Sequence, residues 1–249
     1  MSVAVLGGGW LLSADDFVLD ESDVAVNGLQ YADSELVRAI IDPLVADGAN
    51  VFWVSTADLE RALFAVPAVA RAQIRAVLPD QLKVVISERT PVFVWQTADD
   101  GLLVDGEGAI LRSARSDELA DGRWPTLRDS RAAFAPPVVD DRLDQVDLEA
   151  TLKLLAVDPA LLDSPAASLL LSADDEDGFV LSAEPDGWRA VFGHYTPSLR
   201  PPEIIDRQVQ CLRSLLAAGQ GEPTDIYLAP ADDRCGTFRA GPTTPPQAP

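Results

Sequence analysis

Residues 23–95 read DVAVNGLQYADSELVRAIIDPLVADGANVFWVSTADLERALFAVPAVARAQIRAVLPDQLKVVISERTPVFVW, and the order of patterns inside this stretch decides the fold. Val24 and Val26 alternate with polar positions and run into Asn27-Gly28, which predicts a strand entering a turn. Ser34 is a candidate N-cap, followed by Glu35 in the first turn and by Leu36, Val37, Ile40 and Ile41 at helical spacing. Asp42-Pro43 is expected to disturb that helix and Gly48 to end it. A second helix is predicted from Ser55 or Thr56, with Asp58 placed for a variant of the capping box. Its stripe is Leu59, Leu63 and Val66, and Pro67 stops it because proline supplies no amide hydrogen. Two strands follow, 69–77 and 81–88, joined by the turn signal Leu78-Pro79-Asp80. In the later strand Leu82, Val84 and Ile86 share one face while Lys83, Val85 and Ser87 share the other. The sum is a β-α-α-β-β unit over residues 23–89, with nothing catalytic in it.

Several residues of this unit carry a family resemblance. Val26-Asn27-Gly28, Gly48-Ala49-Asn50-Val51-Phe52, the run 63–72, Leu78-Pro79-Asp80-Gln81-Leu82-Lys83-Val84 and Glu88-Arg89-Thr90-Pro91-Val92 together resemble the polypeptide-transport-associated (POTRA) domain of the bacterial division proteins FtsQ and DivIB. Beyond it, Leu103-Val104-Asp105-Gly106-Glu107-Gly108 is similar to that family's D-x-x-G hairpin. Gly187-Trp188-Arg189-Ala190-Val191-Phe192-Gly193 and Thr224-Asp225-Ile226-Tyr227-Leu228 are similar to its closing β-α-β pattern.

From Thr90 the pattern becomes strands broken by Gly and Pro, so residues 90–239 are expected to form a second, β-rich domain with two flanking helices. The whole chain is then of the α+β class. Residues 92–96, 102–104 and 109–111 predict a small meander, Trp124 to Leu127 an extended piece, and residues 135–137 a loop. Asp147 is expected to cap a helix with Leu148, Leu152 and Leu155 on its stripe. Strands are expected at 168–172, 179–183 and 188–192. A helix over 203–217 should bury Ile205, Val209, Leu212 and Leu216, and strands at 226–228 and 236–239 should close the chain. Residues 240–249 form a Pro-rich tail.

Composition narrows the function classes. The chain has 249 residues, 47% of them hydrophobic and 24% charged, enough for two small domains with cores. A net charge of -21 argues against nucleic acid as a partner, because that affinity rests on Lys and Arg neutralising phosphates. It argues equally against electrostatic docking on anionic lipid. Cys211 and Cys235 lack metal or redox-motif spacing; they can pair if the chain works outside the cytoplasm, or remain two thiols, one helical and one in a strand. His194, the one histidine, has no nucleophile context and is expected on the surface at a strand end. Gly7-Gly8-Gly9 lacks dinucleotide-loop spacing. Asp175, Asp177, Gly178 and Glu184 fall at calcium-loop positions, but Ala173 occupies the first ligand position and both flanks read as strands, so a solvated hairpin tip is the better account. Asp99-Asp100, Asp140-Asp141 and Asp232-Asp233 fall in predicted loops. No catalytic residue, metal site or cofactor is expected.

What remains is binding through sheet edges. The resemblance implies a non-enzymatic, single-pass scaffold on the extracytoplasmic side of the cell membrane at the division septum. Its implied partners are other membrane-anchored division proteins, including a small coiled-coil protein that adds a strand to the β-domain. By position, Ile226, Tyr227, Leu228 and Phe238 are the candidate partner-binding residues; alternation also permits Ile226 and Leu228 to be core. The apolar run Ser2 to Leu12 is half the roughly 20 residues a membrane span needs. The resemblance makes residues 1–22 the outer end of a truncated anchor and a spacer, with Trp10 at the interface. The alternative function is a POTRA-containing export or chaperone-like component that holds extended polypeptide clients.

Overall fold

A computed structural model describes residues 17–46, 48–97, 100–132, 138–184, 187–218, 223–230 and 234–240. The expected anchor with Trp10, the Gly7-Gly8-Gly9 run, the loop at 135–137, Asp99, the pair Asp232-Asp233 and the tail from 241 lie outside them. The chain divides into two compact units, Met1–Thr90 with Ile110–Arg112, and Pro91–Ala109 with Ser113–Pro249.

The first unit contains β1 (Val24–Asn27), α1 (Ser34–Ala46), α2 (Thr56–Phe64), β2 (Val69–Val77) and β3 (Gln81–Glu88). Its three-stranded sheet has the order β1-β3-β2, with β1 parallel to β3 and β2 antiparallel to it. The chain therefore leaves β1, passes through both helices and returns to the middle of the sheet last. Val37 and Ile41 of α1 and Leu59 and Leu63 of α2 pack with Ile74, Leu82, Val84 and Ile86 in one core. Alternation on β3 is complete, each of Leu82, Val84 and Ile86 buried and each of Lys83, Val85 and Ser87 exposed. At α1 the cap is Asp33, one residue before the expected Ser34, because its Oδ1 accepts from the Glu35 amide at 2.8 Å. The helix runs through Pro43 rather than breaking there; a proline near the last turn costs one amide donor. Ser55 caps α2 as expected, its hydroxyl accepting from the Asp58 amide. The Asp58 carboxylate is hydrogen-bonded to Ser55 and, at 2.6 Å, to Arg61, and the two hold it below its ordinary pKa.

Two residues of the Val26-Asn27-Gly28 and Glu88-Arg89 motifs explain why those types stand there. Gly28 has φ +97, and a Cβ on it would fall 2.0 Å from the Ile86 carbonyl oxygen. The Glu88 carboxylate accepts from three successive amides, Gln30 at 2.8 Å, Tyr31 at 2.6 Å and Ala32 at 2.9 Å, and so pins the chain leaving β1 to the end of β3.

The rest of the chain adds β4 (Pro91–Gln96), β5 (Gly101–Asp105), β6 (Ile110–Ser113), α3 (Ser116–Ala120), β7 (Thr126–Asp129), α4 (Gln145–Leu155), β8 (Ser168–Asp174), β9 (Gly178–Glu184), β10 (Arg189–Gly193), α5 (Ile205–Ala218), β11 (Pro223–Leu228) and β12 (Gly236–Ala240). These strands form one nine-stranded sheet in the order β12-β11-β10-β9-β8-β7-β4-β5-β6. The expected meander and the later strands are thus a single sheet, and β7 is what joins them. It is parallel to both neighbours, Leu127 pairing in register with Trp95 of β4 and with Leu171 of β8. Reading Trp124 to Leu127 as only an extended piece missed this, because four residues ending in a charged Asp129 carry almost no alternation signal. The short helix α3 was not anticipated either.

The D-x-x-G hairpin between β5 and β6 is held by Asp105, whose Oδ1 accepts from the amides of Glu107 at 2.9 Å and Ala109 at 2.8 Å. Gly108 supplies the φ of +83 that this turn needs. On α4 the N-cap is Asp144, which accepts from the Val146 amide at 2.9 Å, and not Asp147. Asp147 turns inward to Arg131, and the buried stripe is Leu148, Thr151 and Leu154 in place of Leu148, Leu152 and Leu155. On α5 the buried residues are Ile205, Gln208, Cys211 and Leu212; Val209 and Leu216 are half-buried. A glutamine and a cysteine displace two aliphatic residues there because both are bonded to the closing hairpin.

Candidate partner interface

The closing hairpin is the place where the candidate residues meet. β11 lies parallel to β10, with Ala190 opposite Ile226 and Val191 opposite Tyr227. On its other side β12 pairs antiparallel, setting Phe238 opposite Ile226, Thr237 opposite Tyr227 and Gly236 opposite Leu228. Ile226 is fully buried and Leu228 nearly so, so both belong to the core as alternation permits. Tyr227 faces the opposite side of the sheet, half-buried, across from the exposed Thr237. The side chain of Phe238 lies outside the described ones. Among the described residues β12 has no neighbour beyond β11, and its five residues present roughly 17 Å of strand edge.

This edge is tied down from behind. Cys211 of α5 and Cys235, the residue preceding β12, form a disulfide with a Cα–Cα distance of 5.0 Å, which resolves the open choice between pairing and free thiols. Gln208, one turn earlier on α5, donates from Nε2 to the carbonyls of Phe192 and Ala229, both at 3.3 Å. Its Oε1 accepts from the Tyr195 hydroxyl at 2.7 Å. Arg200 donates to the Phe192 carbonyl and, at 3.5 Å, to that of Leu228. Burial pushes the Tyr195 hydroxyl well above its usual range, opposed by the charge of Arg200, so it stays a neutral donor. Burial likewise pulls the Arg200 guanidinium down from its ordinary value, with Tyr195 acting the other way. Gln208, Tyr195 and Arg200 were invisible as a set in the sequence, since they come from three segments; the two cysteines were the available signal.

A different acidic cluster accounts for the calcium-like spacing. Residues 174–177 form the tip of the β8–β9 hairpin, and Asp177 lies 2.5 Å from Arg189, with Asp174 and Asp225 each at 4.0 Å. Burial works to lower the Arg189 pKa, but these carboxylates, Asp177 foremost, raise it on balance. Asp174 and Asp177 of this tip serve a guanidinium, and Asp175 accepts from the Ala132 amide at 2.7 Å. Among the described residues no group of three His, Cys, Asp or Glu is placed to hold a metal ion. His194 is exposed directly after β10.

In the first unit, β1 is the outer strand of its sheet, and a groove of about 450 Å³ runs along it against α1. Val24, Val26, Leu29, Val37 and Ile41 make it apolar, while Arg38 and Asp42 supply one charge of each sign. A strand edge beside an apolar groove is a place where an extended polypeptide can add.

Residues 21–89 match the model of the POTRA domain, FtsQ-type. The class this defines is that of proteins carrying a POTRA domain with the two-helix crossover between β1 and β2. A curated relative, the cell division protein FtsQ of Chloroflexus aurantiacus, is 30% identical over 98 residues, which is 39% of this chain and 35% of that protein. The match thus spans about a third of the relative's length. Residues 21–89 are thus a POTRA domain of the FtsQ type, and the chain is mixed α+β, with that domain followed by a β-rich region. Among the described residues no helix is long and apolar enough to cross a membrane.

Proposed function

We propose that the protein is a scaffold of the bacterial division machinery, non-enzymatic, anchored in the cell membrane by a segment preceding the POTRA domain, with its bulk on the extracytoplasmic side at the septum. Residues 23–89 are the POTRA contact domain in this reading and residues 90–239 the β-domain. The observation that carries it is the FtsQ-type match over residues 21–89. The edge strand β12 supplies the physical means, because its hairpin is fastened to α5 by a disulfide and by Gln208. A partner strand adding to β12 meets a pre-ordered template and so loses less entropy on binding. The small coiled-coil division protein implied by the family resemblance is the partner assigned to that edge, with Tyr227 and Phe238 at the contact and Ile226 and Leu228 supporting it from the core.

Tyr227→Glu tests this assignment. The parent protein and the variant, purified from membranes after mild cross-linking, are compared by mass spectrometry. The expected result is one small single-pass protein enriched with the parent and lost from the variant, whose circular dichroism is unchanged. Equal recovery with both would remove Tyr227 from the interface. The alternative role, an export or chaperone-like component, draws on the groove along β1, which suits extended clients; cross-linking to many unrelated extended polypeptides would favour it.

A further inference from the structure

The open face of the POTRA sheet carries a charge pattern opposite to that of the chain. Side chains of β1, β3 and β2 that point away from the core stand in rows across the strands. One row is Ala25, Lys83 and Arg75; the next is Asn27, Val85 and Gln73; the third begins with Ser87 and Arg71. Arg71, Arg75 and Lys83 are all exposed, and Val85 in the middle row is 49% exposed. No Asp or Glu stands on these rows, although the chain has 40 acidic residues against 19 Lys and Arg.

The pattern is costly to an isolated domain. Arg75 and Lys83 are direct cross-strand partners, and like charges so placed, with Cβ atoms about 5 Å apart, destabilise a sheet. Several arginines elsewhere in the protein have acidic neighbours: Arg61 has Asp58, Arg131 has Asp129 and Asp147, Arg189 has Asp177, and Arg213 has Asp163. Among the described residues Arg71, Arg75 and Lys83 have none. A pair of cations, Arg75 and Lys83, and a single one, Arg71, therefore flank a neutral row with an apolar centre, and the charged rows are about 13 Å apart along the strands.

We infer that this face docks an acidic polypeptide segment of a partner protein, extended along the strands, with carboxylates at i and i+4 over the two charged rows and an apolar side chain at i+2 over Val85. The i, i+4 spacing of an extended chain is also about 13 Å, so the two patterns coincide without strain. An anionic bilayer is the weaker fit. A chain of net charge -21 meets a charged plane with much of its surface, whereas a peptide meets this face alone, and repulsion from the remainder is screened beyond about 8 Å. The inference is independent of the contact at β12, and of the division role, since it rests on the charge distribution of the first unit.

The experiment uses a fluorescein-labelled peptide whose central sequence is Glu-Ser-Val-Ser-Glu, a Lys-for-Glu version of it, and vesicles of phosphatidylglycerol and phosphatidylcholine in equal parts. The expected result is saturable binding of the acidic peptide, amide shifts in NMR confined to residues 71–75 and 83–87, and no binding of the basic peptide. The charge reversal R71E/R75E/K83E should weaken that binding by about tenfold or more, and salt should weaken it in the parent. The milder R71Q/R75Q/K83Q is the companion variant, and its unchanged circular dichroism keeps the comparison free of misfolding. Absence of saturable binding, or binding that both triple variants retain, would overturn the inference. Vesicle binding without peptide binding would also overturn it, replacing the acidic segment with a lipid surface.

Discussion

Replacing Arg131 with methionine is the sharpest stability test of the second unit. Arg131 follows β7 and lies between two carboxylates from different elements, Asp129 at its own strand end and Asp147 in the first turn of α4. Nη2 is 2.6 Å from Asp129 Oδ2 and 3.1 Å from Asp147 Oδ2, and the three side chains are 8%, 4% and 11% exposed. Burial alone works to lower the guanidinium pKa, but hydrogen bonds and charge from Asp129 and Asp147 outweigh it and raise the value, so the group stays charged at every accessible pH. Methionine preserves much of the volume, including contact with the Phe179 ring that the guanidinium overlies at 5.4 Å. It leaves two buried carboxylates unpaired, which costs about 3–5 kcal/mol. At about 2–4 °C per kcal/mol for a unit of this size, the melting temperature of the second unit should fall by about 6–20 °C. The assay is thermal unfolding followed by the fluorescence of Trp95, Trp124 and Trp188, all buried in that unit, with Trp10 and Trp53 replaced by phenylalanine. Adding Asp129→Asn and Asp147→Asn should recover more than half of the loss. An R131M protein as stable as its parent would refute the claim that this guanidinium holds β7 to α4.

Four further outcomes are expected. Leu63→Asp should unfold the first unit, seen as loss of its amide dispersion in NMR, since it places an unpaired charge at a fully buried position. Gly28→Ala should destabilise that unit by more than about 2 kcal/mol in urea titration, because the added carbon meets the Ile86 carbonyl at a positive φ. Glu88→Ala should cost about 2–3 kcal/mol by the same measurement, three amides losing a charged acceptor. The double variant C211S/C235S should lose about 3.5 kcal/mol or less for the 24-residue separation it releases, with faster hydrogen exchange in β12 than in β9.

The first unit was legible because each element shows its own period. Leu82, Val84 and Ile86 alternate, Leu59, Leu63 and Val66 fall on one helical stripe, and Pro67 and Gly28 punctuate them. In the second unit the strands were found but not their union, since β7 is short and its neighbours are distant in sequence. Helix stripes failed where polar residues are buried: Thr151 on α4, and on α5 Gln208 and Cys211, both bonded to the closing hairpin. Periodicity counts apolar residues, and a buried glutamine bonded to Phe192, Ala229 and Tyr195 is invisible to it. The cap of α4 moved from Asp147 to Asp144 for a related reason, because Asp147 is committed to an arginine whose position no local pattern reveals. At the candidate interface, Ile226, Leu228 and Tyr227 were placed on the correct strand, and burial then separated the two core residues from the half-buried one.

The most direct measurement of the central claim is fluorescence imaging of dividing cells in which the protein, expressed from its own locus, carries a fluorophore at its N-terminal end. A band at the division site that appears before constriction, with elongated undivided cells on depletion, is the result a division scaffold predicts. An even distribution around the envelope, with normal division on depletion, would contradict it.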